Sequence, residues 1–394
     1  MVRKQPSIAD AALIAAAVER GATPTPTQLE RWRAAGLLPR NEQHGAGQGR
    51  GSVSTVPPEA VDLVVWLSAH ARPGRRPGDL ALEAFGAGLP IPEPTVRAAW
   101  LAASTDFHLD ALVEPAEGAD RSDWIADIAQ ELAAKHSGKS VLLPQRIRDV
   151  DARIATAGIS FALPELAPFD RGTYDTEPYT SRDLLTTAVS AVLGGTSELA
   201  QGDLAAISRA LVPPGSAVPV ASMLEYPDGG PGLADINDGH GLTLLPAGDA
   251  RDDLDRVVTE ASPAQLRAAW QAVDDMHHWA VSLCDAVEAE LDGLAADEPL
   301  PEYPGLQQWF FGITFGLNRL LLRQALLEPV PSSRARASTA VMLLFLATGI
   351  NRLRAMVPDA QFELLPVLLP PFLHQLAELV AADLPASLRP SESA

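Results

Sequence analysis

The side chains best placed to do chemistry lie on a short helical segment near the N-terminus and on a long helix around residue 277. A helix of about ten residues opening at Pro26 puts Leu29, Trp32 and Gly36 on one face and Thr27, Arg31 and Ala34 roughly opposite. That outer face is small and basic, the kind of surface a major groove admits. On the second segment Asp274, Asp275, His277 and His278 precede Trp279, and Asp274 with His278 at i, i+4 share a face as two metal ligands would. HExxH is absent and no third ligand is identifiable, so an ion-paired helix surface is the simpler reading. The run from Asp235 to His240 has the residue types of a calcium loop, but Gly239 stands fifth where the turn needs a glycine sixth. Gly45 to Gly51 lacks the GxxxxGK[ST] pattern of a phosphate cradle. Cys284 reads as a core residue, and no GxSxG or Ser/His/Asp spacing occurs. The sequence therefore assigns no catalytic residue, no metal site and no cofactor.

The elements that must position the basic face are well signalled. A first helix spans about 11–20. The second opens on Thr25, Pro26, Thr27 and Gln28: Thr25 is the expected N-cap, Pro26 loses no hydrogen bond at the first helical position, and Gln28 has the spacing to close a capping box. Gly36 supplies the left-handed residue on which helices often stop. A glycine-rich run through Gly45, Gly47, Gly49 and Gly51, flanked by 52–55, reads as a short hairpin with Arg50 near its tip. Helices over 58–71 and 79–87 follow, with Arg72, Arg75 and Arg76 between them as further phosphate contacts or a solvated turn.

The run Gln28-Leu-Glu-Arg-Trp-Arg-Ala-Ala-Gly-Leu-Leu-Pro39, the Gly/Arg hairpin, Val56-Pro57 and the helix after it resemble the MerR-type winged helix-turn-helix over about residues 6–88. In that family the second helix occupies the major groove and the wing touches the neighbouring backbone. The resemblance implies a nucleic-acid-binding set of Thr25, Thr27, Gln28, Arg31, Arg40 and Arg50, with Thr27, Gln28 and Arg31 in the groove and Arg40 and Arg50 on phosphates. The sequence departs from the family in having Leu-Glu-Arg-Trp where an arginine followed by aromatics is usual, and in lacking the dimerisation coiled coil that normally follows. Effector response and promoter distortion are therefore not implied.

Charge supports a division of labour. The 394 residues carry a net charge of −20, yet residues 1–80 hold ten Lys and Arg against seven Asp and Glu. A mildly basic head on an acidic body suits a chain in which only the head meets a polyanion; an acidic surface kept for solubility is the simpler alternative. The lone cysteine forms no internal disulfide. The longest uncharged apolar stretch, 337–350, is shorter than the roughly 20 residues that span a bilayer. These features predict a cytoplasmic protein without a membrane partner.

The fold class expected is mainly α: the winged helix-turn-helix over 1–94, ending in a proline-rich stretch at 89–94, and a larger, bundle-like helical body. The body divides into a connecting region over 95–261, irregular near 213–249, a bundle of long helices over 262–385, and a flexible tail over 386–394. Its helices are expected at 95–104, 122–136 with Ser122 as N-cap, 144–157, 263–294, 306–327, 333–356 and 362–384, the last interrupted by Pro366, Pro370 and Pro371. Trp309, Phe310, Phe311 and Phe315, with Leu317 and Leu320, read as core in preference to a ligand pocket. The functional expectation is a DNA-binding transcriptional regulator acting on double-stranded DNA as a homodimer, with a small-molecule effector as a candidate further partner. The alternative is a helical ligand-binding or protein-interaction scaffold that uses the winged helix for docking.

Overall fold

A computed structural model of the chain describes residues 6–45, 52–104, 120–136, 143–159, 181–194, 201–212, 250–294, 310–356 and 369–382. The fold is mainly helical, with one two-stranded sheet among the described residues. The chain divides into two compact units. Unit 1 comprises Met1–Asp110, Val258–Trp270 and Pro331–Val341; unit 2 comprises Ala111–Val257, Gln271–Val330 and Met342–Ala394.

Unit 1 begins with α1 (Ile8–Glu19) and α2 (Pro26–Ala34), continues through strands β1 (Glu42–Gly45) and β2 (Ser52–Thr55), and then α3 (Ala60–His70), α4 (Pro77–Gly86) and α5 (Glu93–Ser104). The strands pair antiparallel, Glu42 opposite Thr55 and Gly45 opposite Ser52. α1 packs on α3, and Leu13, Leu29, Trp32, Leu37, Leu63 and Leu67 are almost wholly buried. Each fully buried side chain of this size contributes about 1.5–3 kcal/mol. Ser7 caps α1, accepting from the Asp10 N–H at 3.1 Å. Asp10 in turn pairs with Arg33 of α2 at 2.6 Å, and Arg33 also donates to Asn41 Oδ1. Burial pushes the Asp10 carboxyl up, but the hydrogen bonds from Arg33 and Ser7 outweigh it and hold the group below the usual carboxylate range.

The proline-rich 89–94 stretch, expected to close the head, lies inside unit 1. Beyond it, the Thr95 hydroxyl of α5 donates to the Gly36 carbonyl at 2.8 Å, fastening α5 to the end of α2. Gly36 sits at φ +71°, and a Cβ there would stand 2.4 Å from Thr95 Oγ1. Glycine is therefore required twice over, by backbone hand and by close approach.

Two distant stretches complete unit 1. The N-terminal part of α11 (Pro263–Asp292), preceded by the end of α10 (Ala250–Glu260), supplies Trp270, and the N-terminal part of α14 (Ser333–Met356) supplies Ser333, Arg334 and Arg336. Arg97 donates to the Val258 and Thr259 carbonyls at 2.6 and 3.0 Å, and Arg334 to the Ala102 carbonyl at 2.8 Å. Trp270 meets Phe85 edge-on and lies beside Trp100, with ring centroids 6.3 and 6.1 Å apart.

Unit 2 contains α6 (Arg121–His136), α7 (Gln145–Ala157), α8 (Ser181–Gly194), α9 (Gln201–Ala210), the rest of α11 and α14, α12 (Phe310–Leu317), α13 (Arg319–Leu327) and α15 (Pro371–Ala382). Several local expectations need correction. Ser122 lies within α6, and Asp120 accepts from the Asp123 N–H in the capping role. The single helix expected over 306–327 is two in its described part. Asn318, at φ −104° and ψ 27°, interrupts it, while its amide donates to the Thr314 carbonyl. The backbone bonds run on through this point, from the Asn318 N–H to the Thr314 carbonyl at 3.1 Å and from the Leu322 N–H to the Asn318 carbonyl at 2.9 Å, so the interruption is a local distortion at one residue. The irregular 213–249 segment, the calcium-like run at 235–240 and Trp309 lie outside the described residues. The helix expected over 362–384 is described only as α15. No helix among the described residues is long and apolar enough to cross a membrane.

Candidate nucleic-acid interface

α2 is held by its start signal. The Thr25 hydroxyl oxygen accepts from the Gln28 N–H at 3.3 Å, and Gln28 Oε1 accepts from the Thr25 N–H at 2.8 Å and the Thr25 hydroxyl at 3.0 Å. This is a complete capping box with Pro26 at the first helical position. Leu29 and Trp32 turn into the core, while Thr27, Arg31 and Ala34 are exposed, as the helical periodicity requires.

The box divides the six residues of the sequence-derived set. Thr25 and Gln28 are already engaged in holding the helix. A glutamine reading adenine uses both its oxygen and its amide nitrogen. Gln28 makes that contact only by giving up the bonds that fix the first turn. Thr27 and Arg31 carry no such commitment. Arg40, just beyond the helix, is exposed, and Arg50 lies outside the described residues. Thr25→Ala is expected to cost unit 1 about 1 kcal/mol. Hydrogen exchange of the first α2 amides reads this directly, and unchanged protection would refute the assigned capping role.

The turn between α3 and α4 sorts its arginines in a way sequence could not. Arg72, Pro73, Gly74 and Arg75 form a turn closed by the Arg75 N–H on the Arg72 carbonyl at 3.2 Å, with Gly74 at φ +88°. Proline second and a left-handed glycine third is the type II arrangement. Arg75 is ion-paired to Glu83 at 2.6 Å. Arg72 and Arg76 are exposed and, among the described residues, without a carboxylate partner; so are Arg31 and Arg40. The other arginines described up to Ser104 are ion-paired: Arg20 with Asp62, Arg33 with Asp10 and Arg97 with Glu93. Sequence reasoning missed Glu83 because its partner lies eight residues away, across a turn.

The chemistry considered for the long helix takes a different form. His277 Nδ1 lies 3.1 Å from the Ala325 carbonyl, a contact to α13 backbone, and His278 is exposed. Among the described residues no three His, Cys, Asp or Glu side chains are grouped to hold a metal ion. Cys284 is fully buried, and burial pushes its thiol up to about 11, against the pull of the nearby Arg146 guanidinium. A thiol protonated at neutral pH is a poor nucleophile. Phe315 is core, whereas Phe311, Leu317 and Leu320 are exposed, so the apolar stripe read as uniform core is split.

Compared with protein-family models, curated proteins and solved structures, the chain matches none.

Proposed function

We propose that unit 1 carries a winged helix-turn-helix that binds double-stranded DNA, and that the chain is a transcriptional regulator. The supporting observation is the set of exposed arginines that have no carboxylate partner among the described residues, Arg31 on a short capped helix, Arg40 just after it, and Arg72 and Arg76 at the turn between α3 and α4. In the acidic remainder Arg146 is ion-paired with Asp285 and Glu288, Arg153 with Asp292 and Arg319 with Asp151, while Arg121, Arg148 and Arg182 are exposed. An unpaired exposed guanidinium is free to displace counterions from phosphates, which is where most non-specific affinity originates. The order helix, helix, hairpin, helix supports placing α2 in the major groove, with Thr27 and Arg31 toward base edges and Arg40 and Arg50 toward the backbone. A head with so few free cations binds weakly alone. The reading therefore includes a homodimer, with the helical remainder joining two heads or receiving a small effector.

Fluorescence anisotropy with pooled genomic duplex fragments at several salt concentrations tests this. Arg40→Ala should weaken all sequences alike and lower the salt slope by about one. Arg31→Ala should cost about 1–3 kcal/mol on a preferred site and blur its sequence preference. Salt-insensitive or absent binding in the full chain would overturn the reading.

A further inference from the structure

The carboxylate of Glu83 is shared between two parts of unit 1 that sequence keeps apart. One oxygen, Oε2, accepts from Arg75 Nη1 at 2.6 Å. The other, Oε1, accepts from the Ser333 hydroxyl at 3.2 Å. Ser333 is the first residue of α14, 250 positions along the chain from Glu83. Arg75 belongs to the same tight turn as Arg72 and directly precedes Arg76, and both of these are exposed without carboxylate partners among the described residues. One arginine of a cluster of three is therefore neutralised by an acid anchored from its far side.

We propose that Glu83 restrains the polyanion affinity of the head by withholding Arg75, and that Ser333 sets the strength of that restraint. The inference rests on the DNA-binding reading and concerns the regulation of the same surface. Ser333 occupies Oε1 and so presents Oε2 to the guanidinium. A shift in the start of α14 would loosen that hold and return a third cation to the turn. The pair is accessible enough to exchange partners, the Arg75 and Glu83 side chains being 41% and 25% exposed. Exposed ion pairs of this kind contribute little, so a phosphate competes with the carboxylate on nearly equal terms.

The test uses the full chain and a mixed-sequence duplex as probe, with affinity measured across a salt series. Glu83→Gln keeps the shape of the side chain, removes its charge and turns one of its two accepting atoms into a donor. It is expected to raise affinity up to about fivefold and to steepen the salt slope by about 0.9, the value of one added phosphate contact. Ser333→Ala should give a smaller change in the same direction. Arg75→Ala should leave wild-type affinity nearly unchanged but abolish the gain in the Glu83→Gln background. A gain that survives Arg75→Ala would be a general charge effect and would overturn the proposal. So would wild-type binding that Glu83→Gln leaves unaltered in both affinity and slope, with the DNA-binding reading intact. If neither wild type nor Glu83→Gln binds the duplex in a salt-dependent way, the DNA-binding reading itself falls and the restraint falls with it.

Discussion

Asp151→Ala is expected to destabilise unit 2 by about 3–5 kcal/mol, far more than a typical substitution. Asp151 and Arg319 face each other in a two-pronged pair: Arg319 Nη1 donates to Oδ2 at 2.6 Å and Nη2 to Oδ1 at 2.5 Å. The two side chains are only 8% and 9% exposed. Arg319 also donates to the Leu211 carbonyl and lies over the Phe315 ring at 4.5 Å. This one guanidinium therefore fastens α13 to α7 and to the chain just after α9. Removing the carboxylate leaves a charge in an apolar site with a carbonyl and a ring face as its main support. The physics of buried pairs also predicts that the loss is not the pair's net worth. Arg319→Met combined with Asp151→Leu removes both desolvation costs together and should restore much of the stability. Because the chain has two units, a single unfolding midpoint would blend them. Hydrogen exchange of α7 and α13 amides isolates the effect. A loss below about 1 kcal/mol in Asp151→Ala, within the range of an exposed pair, would refute the buried-pair account.

Features encoded within a few residues were legible in the sequence. The capping box needs only Thr25 to Gln28, the stop at Gly36 needs one glycine, and α14 spans the 333–356 range its apolar spacing suggested. The distortion at Asn318 was not legible, because apolar periodicity and the backbone hydrogen bonds both continue across it. Nor was the composition of unit 1. Residues 258–270 and 331–341 join the head through Arg97, Arg334 and Trp270, and nothing in their own periodicity says which partner they bury against. For the candidate interface, helical spacing correctly turned Thr27 and Arg31 outward. It could not show that Gln28 serves the cap, or that Arg75 is paired while Arg72 and Arg76 have no carboxylate partner among the described residues. Those distinctions depend on where oxygens such as Gln28 Oε1 and Glu83 Oε2 come to rest, which residue type and spacing leave open.

The contribution of the distant stretches to unit 1 gives the second large effect. Gly86 ends α4, and a Cβ built there would lie 2.5–2.7 Å from three atoms of the Trp270 indole. The indole is only 9% exposed and is packed against Phe85 and Trp100, with the Arg336 guanidinium 5.3 Å from its centroid. It has no free direction in which to retreat. Gly86→Ala should therefore overpack the site and cost about 1–3 kcal/mol. Trp270→Ala should open a cavity beside Phe85 and Trp100 and cost about 3–5 kcal/mol. The two changes are not independent, because the space vacated by the indole is the space the new methyl requires. The double variant is expected to be less destabilised than the sum of the singles, with a coupling of about 0.5–3 kcal/mol. Exchange protection of α4 and α5 amides in the full chain measures all three variants. Strict additivity would mean that Trp270 and Gly86 do not meet. Loss of α4 protection in Trp270→Ala would establish that the basic turn before α4 is held by a residue nearly two hundred positions away. Placement of that turn would then depend on α11 as well as on the head's own helices.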